Sequence, residues 1–235
     1  DAEIRGIVTS ILDLYDSDLA TALAGLPVQV IHNDANDNNL VVDAQGRLTG
    51  LIDFGDFIES HRVCELAVAL AYGMLGQDDP VGRACEIVAG YHGANPLSAA
   101  EVELLYGLAR VRLAESVCMA AQQHAADPDN EYLLISQEEV GSLLRRMERI
   151  NPHLAHYRLR DACGWEPCPG SQKVVNWLSA NADNIGPICD YNVSDAKNLL
   201  LLQLSAFSTD ANKQPMDAAA ATDANAVLLA WPCKR

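Results

Sequence analysis

The sequence predicts a mainly α protein with one small β-hairpin, and three observations carry that reading. Apolar side chains recur at helical spacing through residues 2–24, 60–75, 80–91, 98–124 and 131–150, in stretches separated by proline, glycine and asparagine breakers. Two short apolar runs, Leu40 to Val42 and Leu48 to Ile52, are joined by a polar connection through Ala44, Gln45, Gly46 and Arg47, as two strands about a turn require. Hydrophobic residues make up 49% and charged residues 20%, the balance of a globular chain with a real core, and no apolar run approaches the ~20 residues of a membrane span.

In chain order, Ile4, Ile7, Val8, Ile11, Leu12, Leu19 and Leu23 form one apolar face of a helix over residues 2–24, closed by Gly25 and Pro27. Val28 to Ile31 is a short apolar run that leads into the hairpin region. The helical pattern that starts at Ser60 puts Val63, Leu66, Ala67, Leu70 and Ala71 on one face. Asp78, Asp79 and Pro80 cap the next helix. Ser98 with Glu101 forms a capping box for a long helix to His124. Asp127-Pro128 breaks the chain, and a helix over residues 131–150 ends in Arg145, Arg146 and Arg149, charges that suit a helix C-terminus. Asn151-Pro152 opens a shorter helix to about Cys163. Gly164, Pro167, Pro169 and Gly170 then mark a linker, so residues 1–163 are expected to form the main domain and 164–235 a connector or partial second module. Within the latter, residues 171–182 suit a helix and Leu199 to Phe207 a buried strand. The remainder is Ala-rich and weakly patterned.

Thirty-two acidic against sixteen basic side chains give a formal charge of −16, which repels a phosphate backbone and argues against nucleic-acid binding while favouring a cationic substrate. Seven cysteines at irregular spacing, several inside apolar helical patterns, read as reduced thiols and place the protein in the cytoplasm. Asp1, Ala2 and Glu3 open directly onto an amphipathic pattern, so a secretory leader is not expected here and the start is expected to be a cut in a longer chain.

The chemistry concentrates in HNDANDNNLVVDAQGRLTGLIDFGD, residues 32–56. Asp34 stands in an asparagine-rich turn, the hairpin follows, and Asp53 stands at a Phe-Gly beyond it, so two carboxylates come to one end of a hairpin. That arrangement suits phosphoryl transfer, where one carboxylate sits beside the attacking hydroxyl and oxygen ligands hold magnesium. Asp34 takes the first role, Asn39 and Asp53 the second, with Asn38 or Asn36 as substitutes for Asn39 if the turn is shifted. Asp56 and Asp37 face either substrate or solvent, and Glu59 and His61 are weaker candidates. A calcium loop on Asp34, Asn36 and Asn38 fails, because its sixth position needs glycine and has Asn39, and its twelfth needs glutamate and has Gln45.

The spacing His-x-Asp-x-x-x-x-Asn followed by Asp-Phe-Gly resembles the catalytic and metal loops of the protein-kinase-like superfamily. Asn33, where protein kinases have arginine, and the IDFGD run are more similar to the aminoglycoside phosphotransferase and choline kinase branch, and CELAVALAY to its hydroxylysine-kinase-like members. The resemblance implies a kinase-like C-terminal lobe, ATP as co-substrate with magnesium, and an acceptor hydroxyl on a small amine-bearing metabolite; hydroxylysine, choline, ethanolamine, homoserine and aminoglycosides all fit. It also implies that His32 supports the loop by hydrogen bonding and packing and that Glu65 braces the catalytic loop through its backbone. Members of the family hold ATP phosphates with a lysine and a Gly-rich loop upstream of the catalytic loop. The four lysines here are Lys173, Lys197, Lys213 and Lys234, so the nucleotide-binding lobe is expected to be missing and residues 1–235 to be inefficient alone. RLRDACGWEPCPGSQKVVNWL resembles the connector of relatives fused to further domains, among them a class III aminotransferase-like one.

Two other functions stay open on the residues: a non-catalytic binding or scaffolding lobe, and a metal-dependent phosphohydrolase built on the same carboxylates. His153, His156, Cys163 and Cys168 carry zinc-ligand chemistry, but a helix end with ordinary thiols is the preferred reading.

Overall fold

The computed structural model describes residues 1–127 and 137–169 in full and the backbone of two strands further on, and divides the chain into two compact units, Asp1–Pro167 and Cys168–Arg235. In the first unit, α1 (Ala2–Leu14) is capped by the Asp1 side chain, which accepts the Glu3 N–H at 2.8 Å, and buries Ile7, Val8 and Ile11. The single helix expected over residues 2–24 is instead α1, a π-helical turn (Tyr15–Leu19) and α2 (Ala20–Leu23). A wider turn re-phases the apolar stripe, and Leu19 and Leu23 thereby reach the core. Leu19 lies against Gly107, where a Cβ would come within 3.0 Å of its methyl group.

The hairpin is present as β2 (Leu40–Val42) paired antiparallel with β3 (Leu48–Leu51), with a register shift between Val41 and Val42. Its turn is tied by the Asp43 carboxylate, which accepts the N–H groups of Gln45 and Arg47 at 2.9 Å each and the Arg47 Nε at 2.7 Å, while Gly46 takes the left-handed conformation (φ 75°) that closes it. A second pair corrects the one-hairpin expectation. β1 (Val28–Ile31) runs antiparallel to β4 (Ile58–His61), with Val28 opposite His61 and Ile31 opposite Ile58. Ser60 therefore belongs to a strand, and the following helix, α3 (Arg62–Gly73), starts two residues later than its apolar pattern suggests.

Helices α4 (Pro80–Ala94), α5 (Ala99–Ala126), α6 (Gln137–Glu148) and α7 (Pro152–Ala162) complete the unit. Asp79 caps α4 and also accepts two bonds from Arg158 of α7, at 2.9 and 2.6 Å. The expected start of α6, residues 131–136, lies outside the described residues. At its other end Arg145 pairs with Asp1 and Glu3, and Arg146 donates to the carbonyls of Gln77 and Asp78, so these arginines fasten α6 to neighbours as well as complementing its C-terminus. The core is helical: Ile11, Leu66, Leu70, Leu105, Leu113, Leu144 and Leu159 are all almost fully buried. The strands contrast with it. Val28, Val30, Leu40, Val41, Val42, Leu48, Ile52, Phe54, Phe57 and Ile58 are exposed, Val30 and Leu48 to 64% each.

The Ser98 capping box forms as the sequence suggests, and the same glutamate does more. Glu101, fully buried, accepts Arg62 Nε at 2.5 Å and Nη2 at 2.7 Å, and the Ser98 N–H and hydroxyl at 2.8 Å each. Arg62 also donates to Asn95 Oδ1 and the Pro96 carbonyl, so one satisfied ion pair joins the start of α3 to the α4–α5 connection. In the second unit, β5 (Leu201–Gln203) pairs antiparallel with β6 (Val227–Leu229). β5 lies inside the run Leu199 to Phe207, whereas β6 falls in the tail read as weakly patterned; the helix expected over residues 171–182 lies outside the described residues. Cys64, Cys85, Cys118, Cys163 and Cys168 are free thiols, and burial pushes the Cys85 thiol up to about 11.

Burial pulls the Glu101 carboxyl upward, but its bonds to Arg62 and Ser98 outweigh that and hold it below the ordinary glutamate value. Its stabilisation is therefore fully present above the unfolded value, about 4.3, and is lost as pH falls through the lower folded value. Glu101→Ala, which leaves Arg62 charged and unpaired, is expected to destabilise the protein by about 3–5 kcal/mol in denaturant unfolding at pH 7, with a smaller difference from wild type near pH 3.

Candidate active site

The site is built from two loops that the strands deliver to one place. The first follows β1 and runs through His32, Asn33 and Asp34 into a short 3₁₀ turn, Asp37–Asn39, that leads into β2. The Asn36 side chain caps this turn by accepting the Asn38 N–H at 2.9 Å. The second follows β3 through Ile52 and Asp53 into another 3₁₀ turn, Phe54–Asp56. Asn33 (φ 67°) and Asp53 (φ 63°) both adopt the left-handed conformation, one that asparagine and aspartate tolerate better than other side chains.

Ile52 joins the two loops. Its N–H donates to the Asn39 carbonyl at 3.0 Å, and its own carbonyl accepts His32 Nε2 at 2.9 Å. The other ring nitrogen, Nδ1, accepts the Asp34 N–H at 3.4 Å, so the two bonds together select the Nε2–H tautomer. His32 is buried, with its ring 5.3 Å from both Phe54 and Phe57, which lie 5.0 Å from each other nearly at right angles. Glu65, in the first turn of α3, accepts the Asn33 N–H at 3.0 Å.

Both amide hydrogens of Asn39 are used on Asp34, one on its backbone carbonyl at 2.8 Å and one on Oδ2 at 2.9 Å. The remaining amide atom, Oδ1, is a hard oxygen donor without a protein partner among the described residues. Asp53 carries an exposed carboxylate whose Oδ1 lies beside Gly55, 3.5 Å from where a Cβ would sit. Asp34 and Asn39 are thus in direct contact, and Asp53 follows the residue that ties Asn39 to His32. Asp37, Asp56 and Glu59 are exposed, and His61 lies apart, bonded to the Leu26 carbonyl at 3.2 Å. No three His, Cys, Asp or Glu side chains among the described residues group as a metal cluster. Magnesium accepts few protein oxygens and keeps waters and phosphate oxygens as its other ligands, so it does not need a cluster of that kind.

One partner was not foreseen. Arg112, on α5, donates Nη2 to Asp34 Oδ1 at 2.9 Å and Nη1 to Glu115 at 2.8 Å, and its guanidinium lies 5.5 Å over the Tyr72 ring. Burial works against its charge, but Glu115, Tyr72 and Asp34 hold it protonated above the ordinary arginine value. A signal was available: Leu105, Leu108 and Ala109, seven, four and three positions earlier, are apolar, which puts a charge on an apolar helix face.

With this geometry in view, comparison with known proteins is informative. Residues 6–104, which contain every one of these loop residues, match the phosphotransferase enzyme family. The chain resembles hydroxylysine kinases: that of Mus musculus is 32% identical over 141 residues, covering 56% of this chain and 38% of that protein. The Danio rerio and Bos taurus hydroxylysine kinases are each 28% identical, over 151 and 152 residues, covering 63% and 61% of this chain and 42% and 40% of theirs. The chain therefore spans about two fifths of the length of these relatives. No solved structure matches it significantly. No helix among the described residues is long and apolar enough to cross a membrane.

The brace on the first loop is testable without activity. Glu65→Ala leaves the half-buried Asn33 N–H without its acceptor, a loss of about 1–3 kcal/mol. Amide hydrogen exchange at Asn33 is expected to accelerate accordingly, with Glu65→Gln, which keeps a carbonyl acceptor, affected less.

Proposed function

We propose that the protein is an ATP-dependent phosphotransferase that phosphorylates the hydroxyl of a small amine-bearing metabolite, an amino alcohol of the hydroxylysine kind, and that residues 1–163 form its kinase-like C-terminal lobe. The observation that carries this reading is the union of Asp34, Asn39 and the Asp53 loop through one residue, Ile52, inside the segment that matches the phosphotransferase family. Likeness to hydroxylysine kinases supports the substrate class, and the −16 formal charge supports a cationic acceptor.

Asp34 is the carboxylate that orients the acceptor hydroxyl and takes its proton; with Oδ2 held by Asn39 it keeps lone pairs for that purpose. Asn39 Oδ1 and the Asp53 carboxylate would hold magnesium, which when bound with ATP neutralises phosphate charge. His32 and Glu65 fix the loop, and Asp56, exposed in the second loop, faces either the acceptor or solvent. The ATP-holding lysine and Gly-rich loop belong to a part of the whole protein outside residues 1–235. The apolar surface exposed along the strands between Val28 and Ile58 supports a docking role for that part. Residues 164–235 serve as a connector or partial second module, and the free thiols among the described residues support a reducing, cytoplasmic setting.

In the whole protein, a screen of amino alcohols for ATP consumption is expected to find a turned-over acceptor, with Asp34→Asn lowering kcat by 100-fold or more, in the range typical of lost acid–base catalysis. A fully active Asp34→Asn protein removes the assignment. Magnesium-dependent nucleotide binding without any turnover favours a scaffolding lobe instead, and phosphate release from a phosphorylated metabolite without ATP favours a phosphohydrolase.

A further inference from the structure

We propose that Arg112 is a positioning residue for the phosphoryl acceptor site, holding the Asp34 carboxylate in the orientation in which it meets the acceptor hydroxyl. The proposal rests on the phosphotransferase reading of Asp34 and deepens it.

Three observations support it. First, the Asp34 carboxylate is gripped at both oxygens, by Asn39 at Oδ2 and by Arg112 at Oδ1, so rotation about its last bond is blocked only while both grips hold. Second, Arg112 is itself fixed: Glu115 takes its other terminal nitrogen, Tyr72 lies under the guanidinium, and only 16% of its side chain is exposed. A long side chain immobilised in this way transmits the position of α5 to a loop 78 residues earlier in the chain. Third, the charge balance calls for it. Asp34, Asp53, Asp56 and Glu65 gather in or beside the two loops, and Arg112 is the one cation bonded to any of them among the described residues. A planar fork with separate donors for two carboxylates does this better than an ammonium, which acts as a point charge.

The test uses the whole protein with its best acceptor. Arg112→Gln is expected to lower kcat by about 100-fold, the scale of a misplaced catalytic group, while KM for ATP stays within about twofold. Arg112→Lys, which keeps the charge and loses the fork, is expected to recover part of that loss, and added guanidinium ion to restore part of the rate of Arg112→Ala. Arg83→Gln, which breaks an exposed surface pair with Glu86, serves as the control with unchanged kcat. An activity-independent readout accompanies these: amide exchange across residues 33–39 accelerates in Arg112→Gln and not in Arg83→Gln. Unchanged kcat in Arg112→Gln overturns the proposal while leaving the phosphotransferase reading in place. Equal loss in the Gln and Lys variants with no guanidinium rescue also overturns it, as the mark of a purely structural residue. If wild type turns over no acceptor yet exchange still rises in Arg112→Gln, the phosphotransferase reading fails and the grip on the loop stands.

Discussion

The peptide unit of Ile52 is held from both sides, by the Asn39 carbonyl at its N–H and by His32 at its carbonyl, and the rest of the site depends on that constraint. Neither loop has enough local structure to hold itself. Each is an irregular passage between a short strand and a single 3₁₀ turn, with one residue in the left-handed region. Two hydrogen bonds to one residue fix the loops relative to each other, and the buried His32 ring packs in a cluster with the Phe54 and Phe57 rings. Asp34, Asn39 and Asp53 inherit their positions from this arrangement.

The helical core supplies the outer support. α3 offers Glu65 to Asn33 and α5 offers Arg112 to Asp34, so the first loop is anchored to two helices as well as to the second loop. Those helices are in turn fastened to each other by the buried Arg62–Glu101 pair, which has every donor of Ser98 and every terminal nitrogen of Arg62 accounted for. Removing either partner of a buried pair of this kind leaves the other charge uncompensated. The strands, by contrast, put little apolar surface into the core.

Features with local causes were legible in the sequence. The hairpin strands follow from two short apolar runs joined by the polar connection through Ala44, Gln45, Gly46 and Arg47, the α5 start from Ser98 and Glu101 three residues apart, and the α4 start from Asp79-Pro80. Within the site, the asparagine-rich turn and the Phe-Gly after the hairpin marked Asp34, Asn39 and Asp53 as neighbours, and the structure puts Asp34 and Asn39 in contact. Features with distant causes were not legible. β4 exists only because β1 lies opposite it, and a four-residue run holding Glu59, Ser60 and His61 has no strand signature of its own. The π-helical turn at Tyr15–Leu19 answers to the surface of α5. Arg112 reaches Asp34 across 78 residues, and only its place on an apolar helix face hinted that it had inward work.

If Asn39 and Asp53 serve one cation, they must feel it together. Paramagnetic broadening of backbone amide NMR signals by substoichiometric manganese, in the whole protein with an ATP analogue bound, measures this directly. Broadening of the Asn39 and Asp53 amides at the same manganese concentration, lost at both in Asp53→Asn, is the predicted result; broadening confined to one loop, or at neither, contradicts a shared metal and with it the phosphotransferase account.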